Sequence, residues 1–108
     1  MQQLEQDIKY WADSRWPTRT LASRLRKLGE EVGELAEAVC LLPGTGRASR
    51  EAAREAADCA IVLSDICSLL GYSLSAVMQE KFAEVQARPV YQPECMCHVM
   101  FGPCEIHG

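Results

Sequence analysis

Leu21, Leu25, Leu28, Val32, Leu35 and Val39 recur at steps of three, four and seven along the chain, the period of one face of an α-helix. The pattern predicts a helix from about Leu21 to Leu42, closed by Pro43-Gly44-Thr45-Gly46, a run that reads as a loop. A shorter helix is expected before it, from about Leu4 to Ser14, carrying Ile8, Tyr10 and Trp11. Trp16-Pro17 ends that helix, because proline disfavours helical backbone in the residue before it, and Thr18 or Thr20 is placed to cap the next one. A third helix is expected from Ser49, as its N-cap, to Leu70, with Gly71 just past its end. A fourth, capped by Ser73 or Ser75, carries Val77, Met78, Phe82 and Val85 and stops before Pro89. No strand-like alternation and no internal repeat occurs. The expected fold class is therefore all-α, a four-helix bundle of antiparallel neighbours over residues 1–89, with a short irregular tail over 90–108 that contains Pro93 and Pro103.

Length adds one constraint. In 108 residues, 48% of them hydrophobic, there is room for one domain, and a domain this small that must also hold a polar site has little core to spare. A homo-dimer or tetramer, pairing through an apolar helix face, is the expected assembly. The net charge of −4 argues against nucleic acid as a partner, because nonspecific binding relies on clustered Lys and Arg. No run approaches the ~20 apolar residues that span a bilayer, and Met1-Gln2-Gln3-Leu4-Glu5 lacks the basic start of a signal peptide. No membrane partner is expected, and the cytoplasm is the expected compartment. Cys40, Cys59 and Cys67 fall in helical, apolar surroundings and are expected to be reduced core residues.

The carboxylates carry the chemistry. Residues three apart on a helix project side by side, so Glu31 with Glu34 forms one pair on the second helix and Glu55 with Asp58 another on the third. Glu31 falls at the border of the apolar stripe, Glu34 to one side of it and Glu30 further out. Glu55 and Asp58 share a face with Val62, Ile66 and Leu69 and are expected to point toward the core. Ionised carboxylates turned inward cost several kcal/mol unless they are paired or bind a metal. Four meeting between two helices call for a cation, and an all-oxygen donor set suits Mg²⁺, or Mn²⁺, with substrate phosphates completing the coordination. The competing reading is a set of solvated faces and interhelical ion pairs to Arg24, Lys27 or Arg54.

The pattern Glu30-Glu31-x-x-Glu34 followed by Glu55-x-x-Asp58, with the helix order, Gly71, Lys81 and Arg88, resembles the EExxE…ExxD signature of the MazG-like all-α nucleoside triphosphate pyrophosphohydrolases. The resemblance covers about Trp16 to Pro89. It implies Mg²⁺-dependent hydrolysis of a nucleoside triphosphate substrate to the monophosphate and pyrophosphate, a house-cleaning activity against noncanonical or excess dNTPs. It further implies Glu31, Glu34, Glu55 and Asp58 as metal ligands, with Glu30 and Glu34 serving the attacking water. Lys81 and Arg88 would approach the phosphates, and Trp16, with Trp11 and Tyr10 behind it, would enclose the base. The family often carries an Asn four residues after the Lys, where this chain has Val85. Phosphoribosyl-ATP pyrophosphatase, which shares the chemistry, is the alternative enzyme; a non-catalytic helical interaction module with a zinc-binding tail is the alternative without catalysis.

The tail stands apart from that pattern. Cys95, Cys97, His98, Cys104 and His107 gather thiol and imidazole ligands on either side of Gly102-Pro103, a donor set suited to a structural, tetrahedral Zn²⁺ that would pin a segment too Pro-rich to fold alone.

Overall fold

Four helices and no strand make up the residues that the computed structural model describes, 2–41 and 46–89, with side-chain surroundings for 3–41 and 49–89. They are α1 (Gln2–Arg15), α2 (Leu21–Cys40), α3 (Gly46–Leu70) and α4 (Leu74–Gln86), so the all-α class expected from the periodicity holds. The expected helix boundaries are met within a few residues. The exception is the start of α3, which opens at Gly46 and leaves Ser49 inside the helix, not at its cap. The chain divides between Val77 and Met78 into two units: the first holds α1, α2, α3 and the first turn of α4, and the second continues α4. Zinc ligation by Cys95, Cys97, His98, Cys104 and His107 falls outside the described residues.

Local chemistry explains the helix ends. Of the two candidate caps, Thr20 is the one used: its Oγ1 accepts from the Ser23 N–H at 3.1 Å, and Ser23 Oγ accepts from the Thr20 N–H at 3.0 Å, a reciprocal capping box. Gly71, at φ +89°, closes α3. The Tyr72 N–H donates to the Cys67 carbonyl at 2.8 Å and the Gly71 N–H to the Ser68 carbonyl at 3.0 Å, a Schellman motif whose left-handed position favours glycine. Ser73 Oγ accepts from the Ala76 N–H at 3.3 Å at the start of α4. A second cap there comes from elsewhere in the chain: Glu5 of α1 accepts from the Ser75 N–H at 2.6 Å and from the Ser73 and Ser75 hydroxyls at 2.8 and 2.9 Å. Desolvation pushes the Glu5 carboxyl up, but these hydrogen bonds outweigh it and hold it below the usual carboxylate range.

Contacts between helices set their directions. Arg24 meets Asp65 while Glu31 and Glu34 meet Glu55; one number rises as the other falls, so α2 and α3 run antiparallel. Glu5 lies by Ser73 and Ser75, whereas Asp13 connects to Asp65 through Arg19, so α1 also runs antiparallel to α3. Among the described residues the buried hydrophobic side chains are Ala12, Ala52, Cys59 and Val62, mostly small. Glu31, Ser64 and Asp65 are buried with them.

This inventory places the α2 stripe and corrects the expectation of three core thiols. The leucine stripe of α2 is not wholly buried: Leu28 and Leu35 are half-buried, while Leu21, Leu25, Val32 and Val39 are exposed. At about 100° per residue, the side of α2 turned to α3 is centred near Arg24 and Glu31, and the stripe straddles its edge. Of the three expected core thiols, all free, only Cys59 is buried; Cys67 is half-buried and Cys40, at the end of α2, is exposed.

Candidate metal centre and the groove around it

Glu31 and Glu34 stand one turn apart on α2, and Glu55 of α3 comes up against them. One carboxylate oxygen from each lies within 4.8 Å of the others. Glu31 is only 7% exposed. Its Oε1 pairs with Lys27 Nζ at 3.1 Å, but Oε2, like Oε2 of Glu55, is buried with no hydrogen-bond donor beside it. Glu34 is held above the usual carboxylate range by a hydrogen bond to Glu31, which needs a proton between the two carboxyls, then by the charge of Glu31, with desolvation and Glu55 adding to it. Buried oxygens without partners are rare in folded proteins, and mutual repulsion of this kind is relieved by a cation. All the donors are oxygen, as Mg²⁺ or Mn²⁺ prefers, so the residues fit such an ion.

Asp58 is placed differently from the expected arrangement, whereas Glu30 lies further out, as its angle predicts. Asp58, one turn along α3 from Glu55, is exposed and lies outside the converging triad, so only Glu55 of that pair is turned partly inward. Glu30 is exposed, 3.6 Å from Lys27 Nζ. Beneath the carboxylates Cys59 is buried; desolvation first, then Glu31, Asp58 and Glu55, raise its thiol, which keeps it protonated and unreactive.

A groove of about 850 Å³ runs from Glu30, Glu31 and Asp58 to the end of α1, with Trp11, Trp16 and Arg24 also among its lining residues. Trp11 and Trp16 meet edge to face, with centroids 4.9 Å apart and an interplanar angle of 87°, an arrangement aromatic quadrupoles favour. The Trp16 ring carries the Arg24 guanidinium at 5.3 Å and that of Arg15 at 5.9 Å from its centroid. Tyr10 is exposed and is not part of the groove lining.

The least expected feature is the support behind Trp16. Asp65, 1% exposed, accepts from Arg19 Nε at 2.8 Å and from Nη2 at 2.7 Å in a fork. Arg19 Nη2 also reaches Asp13 Oδ1 at 2.8 Å, and its Nη1 donates to the Trp16 carbonyl at 3.2 Å. Hydrogen bonding to Asp65 outweighs desolvation and raises the Arg19 guanidinium above its ordinary value, with Asp13 contributing. Arg24 Nε approaches Asp65 Oδ2 to 2.9 Å, at an angle that makes an ion pair without a well-aligned hydrogen bond. The periodicity contains a signal for this cluster: Asp65 interrupts the run Ile61-Val62-Leu63-Ser64-Asp65-Ile66 three residues after Val62, on the inward face of α3.

The remaining expected site residues lie in the second unit. Lys81 is exposed on α4, 3.8 Å from Glu84, and Arg88 is exposed just past the end of that helix.

No family model matches the chain, and no solved structure matches it. The chain is, however, 35% identical over 85 residues to a dATP/dGTP diphosphohydrolase of Salmonella phage PMBT28. The alignment takes in 79% of this chain and 26% of that protein, so the chain spans about a quarter of the length of the relative it matches.

Proposed function

We propose that the protein is a divalent-metal-dependent nucleoside triphosphate pyrophosphohydrolase, breaking the bond between the α-phosphorus and its bridging oxygen to release a monophosphate and pyrophosphate. The observation that carries this reading is the convergence of Glu31, Glu34 and Glu55, with two orphaned buried oxygens among them, where Glu31 also lines a groove walled by Trp16 and Trp11. The activity for which the phage relative is named supports the same reaction and puts purine deoxynucleotides first among substrates; removal of noncanonical or excess dNTPs is the corresponding role.

Glu31, Glu34 and Glu55 would hold Mg²⁺ or Mn²⁺, with Asp58 as a fourth ligand by the resemblance. The bound ion supplies positive charge against the phosphoryl oxygens and lowers the pKa of water. The proton released as water attacks goes to a carboxylate, and Glu30 and Glu34 are the candidates. Trp16 stacks the base. By the resemblance alone, Lys81 and Arg88 are the cations proposed to meet the phosphates.

The test is pyrophosphate release from a panel of canonical and modified NTPs and dNTPs, with Mg²⁺ and with EDTA, in the native protein and in Glu34→Gln. Monophosphate and pyrophosphate are expected in equal amounts, abolished by EDTA and reduced at least about 100-fold in the variant, since even outer partners of metal ligands are worth 10- to 100-fold. Absence of turnover on every nucleotide, phosphoribosyl-ATP included, sinks the reading in favour of a binding module.

A second copy of the chain is proposed as a partner, on a separate observation. Leu25, Val32 and Val39, at 64, 49 and 48% exposure, repeat every seven residues along α2 and leave an apolar seam without a cover, the kind of surface that marks an interface. Sedimentation is expected to show a dimer or tetramer at micromolar concentration, and Val32→Glu a shift toward monomer. A native protein that sediments as a monomer overturns the assembly.

A further inference from the structure

Arg24 has a role that the pyrophosphohydrolase reading does not use. Its Nε is engaged by Asp65 at 2.9 Å, and its guanidinium lies over Trp16. The two terminal nitrogens make no hydrogen bond to any described residue, yet the residue lines the groove. Its position is fixed from behind, because Asp65 is 1% exposed and is itself gripped by Arg19, which also holds the Trp16 carbonyl. An arginine held at Nε by an ion pair, its guanidinium over an aromatic ring and its terminal nitrogens without a hydrogen bond to a described residue, is a donor fork without an acceptor.

Position along α2 decides which part of a nucleotide this fork meets. Arg24 and Glu31 are seven residues apart, two turns or about 10.5 Å along the helix axis. With the phosphates at the carboxylate end, the ribose and its 5′ linkage span that interval and bring the base to Arg24. A base laid against Trp16 presents its edge to the guanidinium. Two acceptors side by side, O6 and N7, occur on guanine; adenine offers N7 next to an N6 donor.

Resting on the reading of this groove as a nucleotide site, we propose that Arg24, positioned by Asp65 and Trp16, recognises the O6/N7 edge of a guanine base and makes guanine nucleotides the preferred substrate class. Asp65 is a positioning residue in this scheme, and Arg24 the one that touches the base.

The experiment compares kcat/KM for dGTP, dATP and 7-deaza-dGTP, which lacks N7, in the native protein, Arg24→Met and Arg24→Lys. Asp65 keeps its paired contact with Arg19 in both variants, so both are expected to fold. The native protein should favour dGTP over the other two by about tenfold or more, the discrimination of a bidentate arginine pair. Both variants should bring the ratios to within about threefold, because lysine keeps the charge and loses the fork. The proposal is overturned if the native protein shows no such preference, if Arg24→Lys preserves it, or if Arg24→Met lowers all three substrates equally, as a role in packing or toward phosphate requires. A parallel titration of tryptophan fluorescence with dGMP and dAMP reads the base subsite without catalysis. Tighter binding of dGMP, lost in Arg24→Met, in a protein that hydrolyses nothing would uphold this inference while removing the hydrolase reading; equal binding of the two removes the inference whatever the activity.

Discussion

Asp65→Ala is expected to destabilise the protein by about 3–5 kcal/mol, the cost of breaking a buried ion-pair cluster by removing one member. For a domain of this size that corresponds to a fall in Tm of more than about 12 °C, read by circular dichroism at fixed protein concentration. The magnitude follows from what stays behind. The Arg19 side chain is 4% exposed and that of Arg24 12%, so the alanine variant leaves two nearly buried guanidinium groups facing a vacated space. Asp13, 43% exposed and shared with Lys9, compensates only in part. Removing the whole cluster is a different matter. Arg19→Met, Asp65→Leu and Arg24→Met together leave no uncompensated charge, and apolar replacement of a buried cluster is often neutral or stabilising, so the triple variant is expected to regain most of the stability lost in Asp65→Ala. A loss below about 1 kcal/mol in the single variant would mean that water reaches the cluster. A triple variant as unstable as the single one would mean that shape, not charge, is what Asp65 supplies.

The same cluster shows where sequence reading stops. Element type was legible because each helix carries its own period and its own stop signals: Trp16-Pro17 after α1, the capping box of Thr20 with Ser23, and Gly71 after α3 are short-range chemistry. Carboxylate pairing within one helix was legible for the same reason, since spacing alone sets Glu31 beside Glu34. What spacing does not fix is the rotation of one helix against another. In the structure Arg24 and Glu31 take the side of α2 turned to α3, and four of the six stripe residues, Leu21, Leu25, Val32 and Val39, are left exposed. That rotation brings Glu31 and Glu34 to Glu55 and carries Arg24 to Asp65. An interface this polar is paired across the helices at one end, by Arg19 and Arg24 on Asp65, and incompletely at the other, where among the described residues only Lys27 is seen to answer three carboxylates. The two ends of α2 thus differ in kind: one is a finished ion cluster, and the other, among the described residues, sets one ammonium against three carboxylates.

Glu55→Gln is expected to separate a metal centre from a chance gathering of acids, because the two predict opposite responses to Mg²⁺. Without metal the variant should be the more stable protein: Glu55 Oε2 is buried without a partner, and its charge adds to the repulsion that already raises Glu34. With metal the order should reverse. An ion that binds only the folded state stabilises by about 2.7 kcal/mol when present at 100 times its Kd, so the Tm of the native protein should climb with Mg²⁺ while that of the variant stays nearly flat, its affinity reduced at least about 100-fold by loss of a direct ligand. The two melting curves therefore cross as Mg²⁺ is raised. Salts of monovalent ions at matched ionic strength should not produce the crossing, since screening softens repulsion in both proteins without choosing between them. Parallel curves, with the variant above the native protein at every Mg²⁺ concentration, would mean that the carboxylates repel one another and hold nothing. A variant less stable than the native protein in EDTA would mean that Glu55 has a protein partner and was never waiting for a cation. Only the crossing is consistent with three carboxylates whose repulsion in the empty protein is the reverse side of their affinity for a divalent ion.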